Sequence, residues 1–322
     1  MITLRVDADT VARVRFSFSP ANEVMSWLKI AATGRRHPVF GDPGPSARSA
    51  LTHPDVALLA GLIPPSGATY VPDFVTPQPG RATRPAELLD EQIAAVEATG
   101  QDVLEFQLGE AIDLTWGRCA PVPIRRALES GTMPKRLASG LFRLWTHSLA
   151  EVWPTLQSVI DQDIAARVTT LRTHGLARLL NTAHPKLTWT GGAIVLDSAF
   201  TGEHDFSGRD LVLAPSVLSW PDLLVQGPDD AVLYLPPHQV GTGSPRHGRD
   251  LGAVIGDARA LLLAELEQAR STTDLARRLG YTPGTISYHL SAMHRVGLVT
   301  KHRDGRYVLY KRTPQSCALL PD

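Results

Sequence analysis

Cysteine is nearly absent from this sequence. Two residues, Cys119 and Cys317, cannot build a disulfide framework or a four-thiolate zinc site, so a reducing cytoplasm is the expected compartment. Long apolar runs are missing as well. None reaches the roughly 20 residues that a membrane helix needs, so no membrane partner is expected. The opening stretch MITLRVDADTVARVRF alternates and carries charge, which argues against a secretory signal. Neither sign of charge is in surplus, since 32 basic residues balance 32 acidic ones. No repeat period stands out. The eleven histidines are scattered, with no H-E-x-x-H spacing, and there is no G-x-S-x-G elbow. The expectation is therefore no catalytic residue, no metal ligand and no cofactor: not an enzyme. His204-Asp205, beside Glu203, is read as a surface-loop pair rather than a metal corner.

What is present suits a soluble globular protein of two or three domains: 322 residues, 43% hydrophobic and 20% charged. The neutral total hides an asymmetry. Residues 271–313 hold eight bases against two acids, Asp274 and Asp304, a surplus of six that leaves the rest of the chain at −6. A compact basic module on an acidic body points to a polyanionic partner, or else to a solvated basic face.

Local signals in that module are dense. Ser271 stands where a helix cap would, with Asp274 three residues on. Leu275, Ala276 and Leu279 form an apolar stripe, and Gly280 is placed to end the helix. After a turn at Tyr281-Thr282, Thr282 and Pro283 read as cap and first position of a second helix, which Gly297 closes. At about 100° per residue, Ile286, Leu290 and Met293 share one face of this helix. Gly284, Ser287, Tyr288, Ser291 and Arg295 share the other, with Thr285 at its edge. His289 lies at the rim of the buried face and is read as a packing residue. Leu298-Val299 begins a strand, Asp304-Gly305 is a hairpin turn, and Tyr307 to Tyr310 return, with Lys301, His302, Arg303 and Arg306 around the tip. Two helices joined by a tight turn and followed by a basic hairpin form a winged helix-turn-helix.

This stretch resembles the module of ArsR/SmtB-type bacterial repressors. The matching pieces are T-x-x-L-A-R-x-L-G at 272–280, S-x-H-L-x-x-M at 287–293, G-L-V at 297–299 and D-G-R-x-V-L-Y at 304–310. The resemblance implies transcriptional regulation by a homodimer on an inverted repeat of double-stranded DNA. Base readers would be Gly284, Thr285, Ser287, Tyr288, Ser291 and Arg295. Phosphate contacts would be Thr272, Arg278, Thr282, Lys301, Arg303 and Arg306. Metal-sensing relatives carry thiolates near the start of the first helix, or Asp and His on a helix after the wing. Here Ser271 to Asp274 has no thiol and Thr313 to Asp322 has no histidine, so no metal is expected. Such modules dimerise through flanking helices. The one before is supplied by Val254, Ala258, Leu261, Leu262, Ala264 and Leu266, and the one after is nearly missing, which leaves dimerisation to the former and to the N-terminal part.

The expected class is α+β, mainly helical, with a C-terminal winged helix-turn-helix and a larger N-terminal α+β domain. The N-terminal domain spans 1–240, helical over 1–186 and β-rich, mostly antiparallel, over 187–236. A linker follows at 241–250, within HQVGTGSPRHGRD, then the DNA-binding domain at 251–313 and a tail at 314–322. Gly241-Thr242-Gly243 is no dinucleotide loop, because Arg246 stands where the third glycine belongs. Helices are read at 84–100, 102–111, 135–150 and 154–182, and from Ser19-Pro20 onward. A hairpin is read at 187–196 around Gly191-Gly192. RFSFSPANEVMSWLKI, YVPDFVTPQPG and FSGRDLVLAPSVLSWP resemble stretches of long actinobacterial ArsR-like regulators, which imply regulation but assign the N-terminal domain no activity. Trp27, Trp116, Trp145, Trp153, Trp189 and Trp220 are either core or the lining of a pocket for a small-molecule effector. Two other readings stay open: a winged helix that contacts protein, and an enzyme with an appended DNA-binding domain.

Overall fold

The structure, a computed structural model, describes residues 1–64, 70–117, 119–227, 229–238, 240, 255–304, 307–313 and 316. The 241–250 linker and Cys317 lie outside these residues. The chain divides into two units, Met1–Thr242 and Gly243–Asp322. No helix among the described residues is long and apolar enough to cross a membrane.

The first unit joins a helical body to two small sheets. Ser19 accepts the Asn22 N–H and so caps α2 (Pro20–Ala32), after the short α1 (Ala8–Ala12). Next come α3 (Gly44–Ala50), α4 (Pro54–Ala60), α5 (Pro85–Glu97) and α6 (Gln101–Ala111), the last running into a π-helical turn at Ile112–Trp116. Then follow α7 (Val122–Glu129) and α8 (Met133–Leu144), with a second π-helical turn at Trp145–Leu149. Helix α9 (Trp153–Ala183) is broken at Gly175, whose φ of 76° and ψ of 176° few residues but glycine adopt. The sequence shows no such break, because one glycine inside a helical pattern is usually tolerated.

Trp27 and Trp153 lie in the helical core, and Trp116, Trp145 and Trp220 pack against it. The rings of Trp145 and Trp153 lie 4.8 Å apart. Trp189 packs against the sheet core. Two tryptophans are thus core residues, and four are half-buried against a core.

The helical reading of 1–186 needs correction at its start, where β1 (Ile2–Arg5) and β2 (Val14–Phe16) are strands. Both pair with chain some 190 to 200 residues away. In the first sheet β3 (Leu187–Trp189), β4 (Ala193–Leu196), β1 and β5 (Gly202–Asp205) follow in that order. Gly191, at φ 96°, turns the β3–β4 hairpin. His204-Asp205 is thus part of a strand, not of a loop, and pairs in parallel with Leu4-Arg5. Among the described residues, no group of three or more His, Cys, Asp or Glu could hold a metal ion.

The second sheet has the order β2, β6 (Leu211–Pro215), β8 (Ala231–Leu235), β7 (Leu224–Gln226). Its β2–β6 and β6–β8 pairs are parallel, so the region is mixed rather than mostly antiparallel. The reason is visible in β6 and β8, buried throughout and read as LVLAP and AVLYL. Strands covered on both faces carry continuous apolar runs, the mark of parallel pairing.

A buried carboxylate ties the helices to this sheet. Glu23 of α2 is 1% exposed, and its two oxygens accept the Val217 and Leu218 N–H groups at 2.8 Å each. Burial pushes its carboxyl up to about 7, against the hydrogen bonds from Leu218, Ser216 and Val217. Asp73 is likewise pushed up to about 7, by burial and then by the charge of Glu110. Between the ordinary value of 4.5 and about 7 the folded chain keeps a Glu23 proton that the unfolded chain has released. Stability due to Glu23 therefore falls as pH rises through that window, by up to about 1.4 kcal/mol per pH unit. Urea unfolding followed across the window is expected to show this slope, reduced in Glu23→Gln. An equal slope in the variant would mean that Glu23 does not titrate there.

Candidate nucleic-acid interface

The second unit builds its helix pair from the local signals. Helix α10 (Asp257–Glu265) leads in, followed by the two-residue strand β9 (Arg270–Ser271). In α11 (Thr272–Leu279) Ser271 accepts the Asp274 N–H as cap, and Gly280 stops the helix at φ 70°. In α12 (Pro283–Arg295) Thr282 accepts the Thr285 N–H at 3.2 Å and Pro283 takes the first turn. Such a cap contributes about 1 kcal/mol.

Ile286, Leu290 and Met293 of α12 are buried against Leu262, Leu263, Leu266, Leu275 and Val299. That anchors one face and turns the other to solvent. Gly284, Ser287, Tyr288, Ser291 and Arg295 are exposed, and Thr285 is half-buried. Tyr288 is 66% exposed, far more than packing alone would leave an aromatic ring. His289 is half-buried, with its ring edge-on to Tyr288 at 5.3 Å. No carboxylate lies on α12. The face is thus small, hydroxylated and free of negative charge, with a cation at its end. Duplex DNA can approach it closely and meet donors and acceptors.

The wing is β10 (Val299–Asp304) paired antiparallel with β11 (Tyr307–Arg312), with β9 on the far side of β11. The last pair of the register is Asp304↔Tyr307. Gly305 and Arg306 lie outside the described residues. Lys301, His302 and Arg303 are exposed. Lys301 and Arg303 are two apart on β10 and share a face of the ribbon. Thr282 is exposed, and Thr272, at the start of α11, is half-buried.

Three acids of the unit temper its charge. Glu265 accepts Arg278 Nε at 2.8 Å and lies 3.6 Å from Arg270. Asp274 accepts from Arg277 at 3.1 Å and Arg270 at 3.2 Å, and these bonds hold its carboxyl below the usual range. Glu267 stands 3.4 Å from Arg312. Arg278 gives its Nε–H to Glu265, which partly neutralises its charge and leaves its Nη donors for a phosphate. A charge count begun at residue 271 misses Glu265 and Glu267; over 257–313 there are ten bases and five acids. Arg295 and Lys301 have no ion-pair partner among the described residues, so the local positive field gathers at the end of α12 and along the wing.

Residues 261–301, from α10 through α12 into β10, match the family model of the arsR family of bacterial regulatory proteins. No curated protein and no solved structure matches the chain. The C-terminal unit carries an ArsR-type helix-turn-helix, attached to a larger N-terminal unit. A helix-turn-helix of this type suggests DNA binding and transcription regulation.

Proposed function

We propose that the protein is a cytoplasmic transcriptional repressor that binds an inverted-repeat operator as a homodimer, yields to a small-molecule effector, and catalyses no reaction. In each protomer α12 lies in a major groove, with Ser287, Tyr288, Ser291 and Arg295 against base edges and the backbone of Gly284 close to the duplex. Lys301, Arg303 and Arg306 contact the adjacent phosphates. The observation that carries this reading is the exposed, carboxylate-free face of α12, presented by a helix whose opposite face is locked into a core.

The test is to sequence the DNA fragments that co-purify with the protein at two salt concentrations. A palindromic motif is expected, with half-sites roughly 34–36 Å apart, one helical turn. Ser287→Ala and Tyr288→Ala are then expected to relax preference at one or two base pairs by about 1–3 kcal/mol each, leaving affinity for random duplex nearly unchanged. Equal affinity for the enriched motif and for random DNA at both salts would overturn the reading.

A further inference from the structure

Two hydrophobic clusters of the N-terminal unit meet at the end of β2. Phe16 packs with the strands, while Phe18, two residues on, packs with the helices. Between this stretch, residues 80–83 and α9 lies a cleft of about 410 Å³, within the range of small-molecule sites. Phe16, Phe18, Ala82 and Ile164 line it, with Arg81 and Asp161 among its polar groups.

Several polar groups at the cleft keep hydrogen-bonding capacity. Strand β2 is the edge of its sheet. Ser17 N–H bonds the Leu213 carbonyl at 3.2 Å, which in a parallel ladder leaves the Phe16 N–H and C=O on the free edge. Arg15 fixes the neighbouring wall. Its guanidinium donates to Asp210 at 3.1 Å, to Gly80 O at 3.1 Å and to Pro79 O at 3.0 Å, so the 79–83 segment is held before anything binds. Arg81 is 79% exposed and gives one N–H to Asp210 at 2.8 Å, leaving the rest of its fork for a carboxylate. On α9, Asp161 accepts Gln157 Nε2 at 2.7 Å and has capacity for a second donor.

We infer that this cleft binds a small aromatic carboxylic acid bearing a hydroxyl or amino group. The ring lies among Phe16, Phe18 and Ile164, the carboxylate sits on Arg81, and the donor reaches Asp161 or the Phe16 carbonyl. This deepens the effector part of the proposed function and rests on that reading only for its regulatory consequence. Helix α9 also carries Asp163 and Arg167, which bond His238 and Pro236 at the end of the described part of this unit. The cleft residues Asp161 and Ile164 and the residues that hold Pro236 and His238 thus lie on one stretch of one helix.

The test uses the full chain, with anilinonaphthalene sulfonate as fluorescent probe and para-hydroxybenzoate as competitor. One dye per chain is expected, displaced by the competitor. Arg81→Glu, at an exposed position, is expected to weaken both by roughly tenfold or more. Ile164→Trp, which fills the cleft, is expected to abolish saturable binding; should that variant not fold, Arg81→Glu decides alone. Dye that never saturates, or that binds folded wild type and Arg81→Glu alike, overturns the inference. A wild-type chain that binds dye in this way but binds no DNA would sink the regulatory reading and leave the site standing.

Discussion

Lys301→Glu combined with Arg303→Glu is expected to lower affinity for duplex DNA of any sequence by roughly a hundredfold per module near 0.1 M salt. Both residues are exposed, on one face of β10, beside a helix that carries no acid. Each phosphate contact releases condensed counterions. Losing two should therefore flatten the dependence of log affinity on log salt by about 0.9 for each contact. Reversal rather than deletion adds repulsion from the phosphates. Fluorescence anisotropy with operator and random duplexes, across a salt series, measures both quantities. Melting of the C-terminal unit, measured on the same variant, separates a lost DNA contact from lost folding, since both side chains are exposed. The contrast with Ser287 and Tyr288 is the diagnostic part: wing variants should weaken all sequences alike, and α12 variants should change which sequence is preferred. Unchanged affinity in the wing double variant would remove the wing from the interface.

The second large effect is in the N-terminal unit. Asp163→Ala is expected to destabilise that unit by about 3–5 kcal/mol, because it strands a buried cation. Asp163 and Arg167 are each 1% exposed and bond at 2.5 Å. Burial pushes the Asp163 carboxyl up, but His238 and Arg167 outweigh it and hold the group below its usual value. Arg167 also donates to Pro236 O at 3.0 Å, while its Nη1 is buried without a hydrogen-bond partner among the described residues. Such a site tolerates no loss of its one counter-charge. A fall in melting temperature of roughly 6–20 °C is expected for a unit of this size, read by calorimetry. Asp163→Leu with Arg167→Met removes both charges and should recover most of the loss. A single variant that melts with the wild type would show that water reaches the pair.

Where the signals were local, the sequence was readable. Ser271, Gly280 and Thr282 set the limits of α11 and α12 through bonds to residues three or four away, Pro283 fits the first turn because it has no N–H to satisfy, and the apolar period of Ile286, Leu290 and Met293 named the buried face. Each of these depends on chain neighbours alone. Glu265 escaped notice because its partner Arg278 lies 13 residues on, past a turn and β9. The N-terminal unit was less legible for the same kind of reason. Strands of three and four residues, such as β2 and β1, hold no period long enough to identify, and their partners are distant.

By itself, then, the order of amino acids determined the winged module, its caps, its core face and its solvent face, since backbone hydrogen bonding and helical periodicity act within a few residues. Only the tertiary structure decided that the N-terminal strands complete two sheets, that Glu23 and Arg167 are buried, and that a cleft lies along the edge of β2. Those outcomes depend on apolar surfaces and opposite charges brought together from positions far apart in the chain, and nothing local records which of the many possible pairings buries the most surface with every polar group satisfied.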